Sequence, residues 1–120
     1  DVIVETGTCG FTSGGKMKCK YVIHAVGPVW HGGKSHEDEL LESAIWSTVK
    51  MAIELGKTIV NKLERRVCIP GISSAIFGFP LERCAQIFGK TIKSCVDEMT
   101  DEDKDNLPEI VLCNIDYWTV

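Results

Sequence analysis

The fold is decided by one stretch of the sequence, which reads Pro70-Gly71-Ile72-Ser73-Ser74-Ala75-Ile76-Phe77-Gly78-Phe79-Pro80. It follows a strand-like segment, Arg65–Pro70, and Pro80 stands at the predicted start of a helix. In α/β proteins, ligands bind at the carboxyl ends of the strands, where loops lead into helix N-termini. Glycines here allow a ligand close to the main chain, and serine hydroxyls and helical N–H groups can donate to it. The pattern fits a cradle for phosphate groups, although most loops of this composition are plain connections that bind nothing.

The residues before this stretch predict two strands and a helix. Asp1–Thr6 alternates as a short edge strand does, Gly7–Lys16 is typical of a turn or flexible loop, and Tyr21–Val26 is typical of a buried strand. A helix then begins with Ser35 as its N-cap and ends at Gly56. Its apolar stripe consists of Leu41, Ala44, Ile45, Met51, Ala52 and Leu55.

The residues after the stretch predict a second helix, an acidic surface loop over Thr100–Asn106 and a buried strand, Ile110–Cys113. The buried face of the helix consists of Leu81, Cys84, Ala85, Phe88, Ile92, Cys95, Val96 and Met99. The last three strands alternate with helices and are continuous apolar runs. That order predicts an α/β fold with a mostly parallel sheet covered on both faces.

A second glycine-rich segment, Gly10–Lys16, matches the nucleotide-binding pattern G-x-x-x-x-G-K. A P-loop needs Ser or Thr at the next position and a helix after it. Here Met17 follows, and the chain continues into a predicted strand. A hairpin loop is therefore the better interpretation.

Composition narrows the function classes. The 120 residues carry a formal net charge of −4, with 44% apolar and 25% charged residues, as in ordinary globular domains. A negative chain argues against non-specific nucleic-acid binding. The sequence has no signal peptide and no transmembrane run. We expect no nucleic acid or membrane partner.

The six cysteines have neither C-x-x-C nor zinc spacing. Cys68 and Cys113 lie in apolar strand-like runs and Cys84 on the inner face of a helix, where cysteine behaves as a small hydrophobe. We expect reduced structural thiols, and therefore an intracellular protein of the cytoplasm or nucleus.

The sequence gives only weak signals for catalytic residues. His24 lies mid-strand among apolar neighbours, as a core histidine would, and His31 and His36 lack a nucleophile partner. Glu37, Asp38 and Glu39 open a helix, where negative charge is favoured in any case. The acidic run 97–105 is typical of a solvated helix end. Spacing alone supports neither a catalytic constellation nor a metal site.

Two motifs resemble one known family. Tyr21-Val22-Ile23-His24-Ala25-Val26-Gly27-Pro28 looks like the macrodomain strand that ends in I-H-x-V-G-P. Ile69–Pro80 is similar to that family's I-P-x-I-S-S-G-I-F-G-F-P loop. The motifs lie in the expected order with the expected helix between them. Their sequences are most similar to those of macrodomains attached to the poly-ADP-ribose polymerase family.

The resemblance implies that residues 1–120 form a single, partial macrodomain with a three-layer α/β/α fold and a mixed, mostly parallel sheet. The implied ligand is ADP-ribose, free or attached to mono-ADP-ribosylated proteins, with no cofactor or metal. The implied ligand-binding residues are Gly71, Ser73, Ser74, Ala75, Ile76, Phe77 and Gly78. Main-chain N–H groups of Ser73–Gly78 would hold the diphosphate, and Phe77 would pack against the distal ribose. Cys113 and Asn114 would fall near the adenine.

The sequence departs from the family pattern in two ways. The family usually has glycine at the position of Ala75, so weaker binding is expected, because a methyl group would crowd a diphosphate against the main chain. The family's first part, with its N-A-A-N segment, has no counterpart here, and its last helix is missing after Val120. The uncovered sheet edges would require a longer chain, a partner protein or a second copy of this chain.

These departures bear on the function. The family's hydrolases use residues of the missing first loop, so an ADP-ribose-binding module is expected rather than an enzyme. The alternatives are an ADP-ribosyl hydrolase whose catalytic loop is absent from this chain, and a degenerate macrodomain that serves as an interaction or dimerisation scaffold.

Overall fold

A computed structural model describes residues 4–70 and 80–113. They form four strands, two long helices and two short helical segments. In chain order these are β1 (Cys9–Ser13), β2 (Tyr21–Ala25), α1 (Glu37–Gly56), a 3₁₀ turn (Lys62–Glu64), β3 (Arg66–Pro70), α2 (Leu81–Glu98), α3 (Asp101–Asp105) and β4 (Glu109–Cys113).

The strands pair in two ways. β1 and β2 form an antiparallel hairpin whose register runs from Cys9 opposite Ala25 to Ser13 opposite Tyr21. β3 and β4 are parallel, from Arg66 beside Glu109 to Pro70 beside Cys113. The parallel pair requires a crossover connection, which α2 and α3 supply. The α/β class predicted from the sequence is confirmed.

The core lies between α1, α2 and β3. Along α1 the buried residues recur every three or four positions, which turns one continuous face inward. They include Leu41, Ala44, Ile45, Val49, Ala52 and Ile53. Cys84, Phe88 and Cys95 of α2 and Ile69 of β3 complete the same cluster. Because these residues keep helical spacing, the two helices bury one stripe each and leave their charged faces outside.

Arg65, which immediately precedes β3, fixes the N-terminal end of the parallel pair. The Arg65 guanidinium donates through Nε and Nη2 to the carbonyl oxygen of Ile59, at 3.0 and 2.8 Å, and through Nη1 to Oδ1 of Asn106 at 3.0 Å. It thereby ties the segment after α1 to the segment before β4. No helix in the described part of the chain is long and apolar enough to cross a membrane.

β1 lies in a segment that was predicted to be a loop, and residues 1–3 of the earlier predicted strand lie outside the described residues. Residues 4–6 of the predicted strand Asp1–Thr6 are not in a strand, and β1 lies inside Gly7–Lys16. The hydrogen bonds from Gly7 N to Val26 O and from Val26 N to Thr8 O place two residues opposite one, as in a β-bulge. Gly7 accommodates this with φ at 86°. The hairpin interpretation of Gly10–Lys16 is confirmed, with its loop at residues 14–20.

The predicted burial of the strands was too high. β2 is half-buried, and His24, predicted to be a core histidine, is exposed, with its Nε2 2.9 Å from Oγ1 of Thr12. In the described residues β2 pairs with β1 rather than with the parallel strands, because the hairpin is the local solution for neighbouring segments. Ile110 and Val111 are half-buried too.

The helices match the predictions more closely, with three corrections. α1 begins at Glu37 rather than after a Ser35 cap: its N-cap is His36, which makes no side-chain capping hydrogen bond. Ala85 of α2 is exposed, and Thr100–Asn106 contains the short helix α3, which Thr100 caps by accepting from Asp103 N. A polar run with an N-cap is enough for one turn of helix.

The cysteines whose side chains are described divide into two groups. Cys84 and Cys95 are buried reduced thiols, and Cys9 and Cys19 are reduced as well. Cys68 is exposed and disulfide-bonded, which corrects the expectation of a buried, reduced thiol at that position. The prediction failed because side chains alternate along a strand, so an apolar run does not bury every residue in it.

Candidate functional site

The N-terminal ends of the two long helices meet at one edge of the molecule. Asp38 lies in the first turn of α1 and Arg83 in the first turn of α2. Arg83 Nε donates to Asp38 Oδ1 at 2.8 Å and Arg83 Nη2 to Asp38 Oδ2 at 2.5 Å, a two-pronged contact. Because β2 leads into α1 and β3 into α2, the connections that follow both strands end at this edge. Ligands of open α/β folds bind at such edges.

The predicted site residues fall mostly outside the described residues. Gly71, Ser73, Ser74, Ala75, Ile76, Phe77, Gly78 and Asn114 are among those not described. The backbone of Cys113 is described, and it is the register partner of Pro70. The residue predicted near the adenine and the residue that opens the predicted cradle are therefore neighbours on adjacent parallel strands.

The loop between β2 and α1, residues 26–36, is organised around one carboxylate. Glu37 is only 1% exposed. Its Oε2 accepts from the backbone N–H groups of His31 and Gly33, both at 2.8 Å, and its Oε1 accepts from Ser35 N at 2.5 Å. Three main-chain donors thus converge on a side chain of the helix that the loop leads into. These hydrogen bonds fold the loop around the Glu37 carboxylate.

The same geometry sets the charge state of Glu37. Burial acts to raise the pKa of the Glu37 carboxyl, but the hydrogen bonds from the N–H groups of His31, Gly33 and Ser35 outweigh it and lower the pKa to about 2. Donors that favour the ionised form have this effect on a carboxylate. Glu37 is therefore ionised across the physiological pH range.

The backbone of this loop uses conformations that only some residues tolerate. Gly32 and Gly33 both have φ at 86°, and His36 has left-handed angles of φ 59° and ψ 31°. A side chain at Gly33 would place its Cβ 3.1 Å from Cη2 of Trp30. The glycines therefore let the loop fold back over its own tryptophan.

Trp30 joins this loop to the second helix. Its ring is half-buried and packs against the core cluster. The guanidinium carbon of Arg83 lies 5.2 Å from the centre of the ring, within the range of a cation–π contact. The hydrogen bonds with Asp38 raise the pKa of Arg83. Arg83 thus contacts both the loop before α1 and the first turn of α1.

Sequence reasoning missed this cluster. The acidic residues 37–39 were interpreted only as favourable charges at a helix start. A glycine-rich loop followed by an acidic residue at the first helical position was a usable signal for Glu37, because an unpaired loop backbone needs acceptors. The Arg83–Asp38 pair had no such signal, since 45 positions separate the two residues.

The other titratable groups of the described residues lie apart from this cluster or are unreactive. Burial raises the pKa of the Cys84 thiol to about 11 and, with smaller contributions from nearby charges, that of Cys95 to about 11 as well. Both are therefore neutral and weakly nucleophilic. His31 and His36 are exposed. Within residues 4–70 and 80–113, no group of His, Cys, Asp and Glu residues is arranged to hold a metal ion.

Comparison with known sequences gives a consistent result. The profile of the Macro domain family matches residues 2–88. An uncharacterized protein of Thermotoga maritima is 48% identical over 116 residues, covering 97% of this chain and 18% of that protein. A macro domain-containing protein of Caldanaerobacter subterraneus is 44% identical over 82 residues, covering 68% of this chain and 43% of that protein. The chain spans less than half of these relatives.

Solved structures show the same fold. A mutant of the Oceanobacillus iheyensis macrodomain with ADPR superposes with a TM-score of 0.74 at 22% identity, over 92% of this chain and 53% of that one. A Trypanosoma brucei macrodomain in complex with ADP-ribose superposes with a TM-score of 0.72 at 22% identity, over 92% of this chain and 40% of that one. At this identity the likeness concerns the fold, and it confirms the fold predicted from the two motifs.

Proposed function

Because this chain belongs to the Macro domain family, we propose that it is a binding module for ADP-ribose, free or attached to proteins. Two observations carry the proposal: the last residues of the parallel strands β3 and β4 are neighbours, and the first turns of α1 and α2 are in contact. The connection 71–79 links the end of β3 to the start of α2. A phosphate group there would be near the positive ends of helix dipoles.

In this proposal the connection supplies the phosphate contacts. Main-chain N–H groups of Ser73–Gly78 hold the diphosphate, Phe77 packs against the distal ribose, and Cys113 and Asn114 lie near the adenine. The pairing of Cys113 with Pro70 supports this arrangement, because it joins the two segments that would bind opposite ends of the ligand. Structures of family members with ADPR or ADP-ribose support the choice of ligand.

The proposal is tested by one substitution made at two glycines. Gly78→Glu places a carboxylate within the proposed diphosphate site, and Gly89→Glu makes the same change on the exposed side of α2, where an added Cβ meets nothing within 4 Å. Both variants have the same net charge. We expect calorimetric titration with ADP-ribose to give at least about a tenfold weaker Kd for Gly78→Glu, because like charges repel at close range. Gly89→Glu should bind as the unsubstituted chain does.

Two outcomes would contradict the proposal. A folded, unsubstituted chain that gives no heat with excess ADP-ribose does not bind this ligand. Equal affinities of Gly78→Glu and Gly89→Glu would place the diphosphate elsewhere. Titration with adenosine is the companion measurement, since a site that depends on phosphate should bind adenosine much more weakly than ADP-ribose.

A further inference from the structure

The contacts of Arg83 go beyond those of a surface ion pair. Its guanidinium pairs with both carboxylate oxygens of Asp38 and lies over the ring of Trp30. We propose that Arg83 is a positioning residue for ligand binding, which holds the loop 26–36 and the first turn of α1 against the first turn of α2. The inference rests on the proposed function, because the ligand to be positioned is ADP-ribose.

The argument starts from what each partner is attached to. Trp30 belongs to the loop that follows β2, and that loop is closed on Glu37 by three backbone hydrogen bonds. Asp38 is the next residue along α1. The loop and the helix start therefore form one unit, and Arg83 is the described side chain of α2 that joins this unit by both charge and ring contact.

The position of Arg83 in α2 relates its contacts with Trp30 and Asp38 to ligand binding. Arg83 follows Pro80 by three residues, so it belongs to the helical turn that the connection 71–79 enters. A shift of that turn relative to the loop 26–36 would separate the two segments that lead away from the carboxyl ends of β2 and β3. Holding those segments in place before the ligand arrives strengthens the binding of a diphosphate, since ordering them on binding weakens affinity.

The chemistry of the contact requires arginine. A planar guanidinium makes two parallel hydrogen bonds to a carboxylate while its face stacks on an indole. Lysine offers one point charge and cannot do both. An Arg83→Lys substitution should therefore keep the charge and lose much of the geometry.

A surface ion pair elsewhere provides the matched control. Lys57 lies at the end of α1 remote from Asp38, with Nζ 3.2 Å from Oε1 of Glu54 and 3.8 Å from Oδ1 of Asp103. Its side chain is 32% exposed and that of Arg83 is 46% exposed. Lys57→Met and Arg83→Met each remove one positive charge and keep an unbranched apolar stem, so they change the net charge equally.

The experiment measures the Kd for ADP-ribose by calorimetry, at a temperature well below the melting point of every variant. We expect Arg83→Met to weaken binding about fivefold, Arg83→Lys to weaken it by a smaller factor, and Lys57→Met to change it less than about twofold. Asp38→Asn removes the negative charge and one of the two acceptors of the same contact, so it should weaken binding in the same direction as Arg83→Met. Amide hydrogen exchange without ligand should be faster in residues 29–36 of Arg83→Met than in those of Lys57→Met.

The results of these titrations distinguish a failure of the positioning role of Arg83 from a failure of the proposed function. If the unsubstituted chain binds ADP-ribose and both Arg83→Met and Asp38→Asn bind it equally well, the positioning role is overturned and the proposed function stands. If the unsubstituted chain does not bind, the proposed function fails first and the positioning role falls with it. A lower melting temperature with unchanged affinity shows a merely structural contact and also overturns the inference.

Discussion

Two glycine-rich loops lie at the two ends of β2, and they are organised in different ways. The hairpin loop, residues 14–20, is held by main-chain contacts such as Gly14 N to Lys20 O at 2.9 Å and Met17 N to Gly14 O at 3.0 Å. The loop 26–36 is held by a buried side chain, since three of its N–H groups donate to Glu37. The first loop is exposed from Gly15 to Lys20, and the second is packed against the core through Trp30.

The difference shows that glycine content alone does not distinguish a loop that only connects two strands from a loop near a binding site. The two loops differ in which groups form hydrogen bonds with their backbone. A hairpin forms hydrogen bonds between its own backbone N–H and C=O groups, so its shape does not depend on particular side chains. A loop that depends on one carboxylate of the next helix takes its shape from that helix, and the helix start is also where Arg83 attaches. The loop 26–36 is therefore coupled to the second helix, whereas the hairpin loop is closed by its own main-chain hydrogen bonds.

The largest effect should come from removing the charge of Glu37. Glu37→Gln keeps the size of the side chain but replaces one acceptor oxygen by a donor that faces backbone N–H groups. A buried donor against a donor is among the most destabilising local changes. We expect the melting temperature to fall by on the order of 10 °C. Calorimetric or fluorescence melting at neutral pH measures it.

Glu39→Gln is the matched control for that change. Glu39 lies in the same first turn of α1 but is exposed. The substitution removes the same charge without a buried partner, so the melting temperature should move by no more than a degree or two. Similar drops for both variants would contradict the view that Glu37 organises the loop, because they would reflect the helix dipole alone.

Acid should weaken the loop 26–36 through the same group. The pKa of the Glu37 carboxyl is lowered from its ordinary value of 4.5 to about 2. A lowered folded-state pKa gives stability that is complete above the unfolded value and is lost as pH falls towards the folded value. The difference in melting temperature between the unsubstituted chain and Glu37→Gln should therefore shrink between pH 4.5 and pH 2. A difference that stays constant over that window would mean that the carboxylate is not held as described.

The sequence predicted the parts of the fold that carry strong patterns. Both long helices were found because their apolar residues recur at helical spacing, and β3 and β4 because they are short apolar runs between breakers. β1 was missed because Thr12 and Ser13 on a half-exposed hairpin give no apolar pattern. Its place is set by pairing with β2, which no local signal encodes.

The site was predictable in part for the same reason. A motif of unusual residues identified the connection 71–79, and its ligand roles remain predictions. The contacts of Glu37 and Arg83 depend on backbone conformations such as that of His36, and on a pairing across 45 positions. Distances of that kind are fixed by how the helices pack, and a single sequence does not record them. The predicted Ser35 cap failed for this reason, because the left-handed conformation of His36 makes His36 the N-cap and Ser35 instead donates its N–H to Glu37.

The smallest effects come from comparing alanine at glycines of the two loops. Gly33 and Gly32 both have φ at 86°, but only at Gly33 would the added Cβ meet a neighbour, Trp30 at 3.1 Å. Gly15 in the hairpin loop has φ at 57° and open space around it. We expect unfolding free energies to fall by about 1.5 kcal/mol for Gly33→Ala, and by about 1 kcal/mol for Gly32→Ala and for Gly15→Ala, because all three strain the backbone and one also displaces a ring.

Urea unfolding measures these differences, and ADP-ribose titration adds the functional contrast. Gly33→Ala pushes on the tryptophan that Arg83 covers, so it should weaken binding as well as stability. Gly15→Ala should cost stability alone, since its loop lies at the other end of β2. Equal losses of affinity in Gly33→Ala and Gly15→Ala would mean that the two loops are equivalent for the ligand, and the contrast between a self-contained hairpin and a loop coupled to the second helix would not hold.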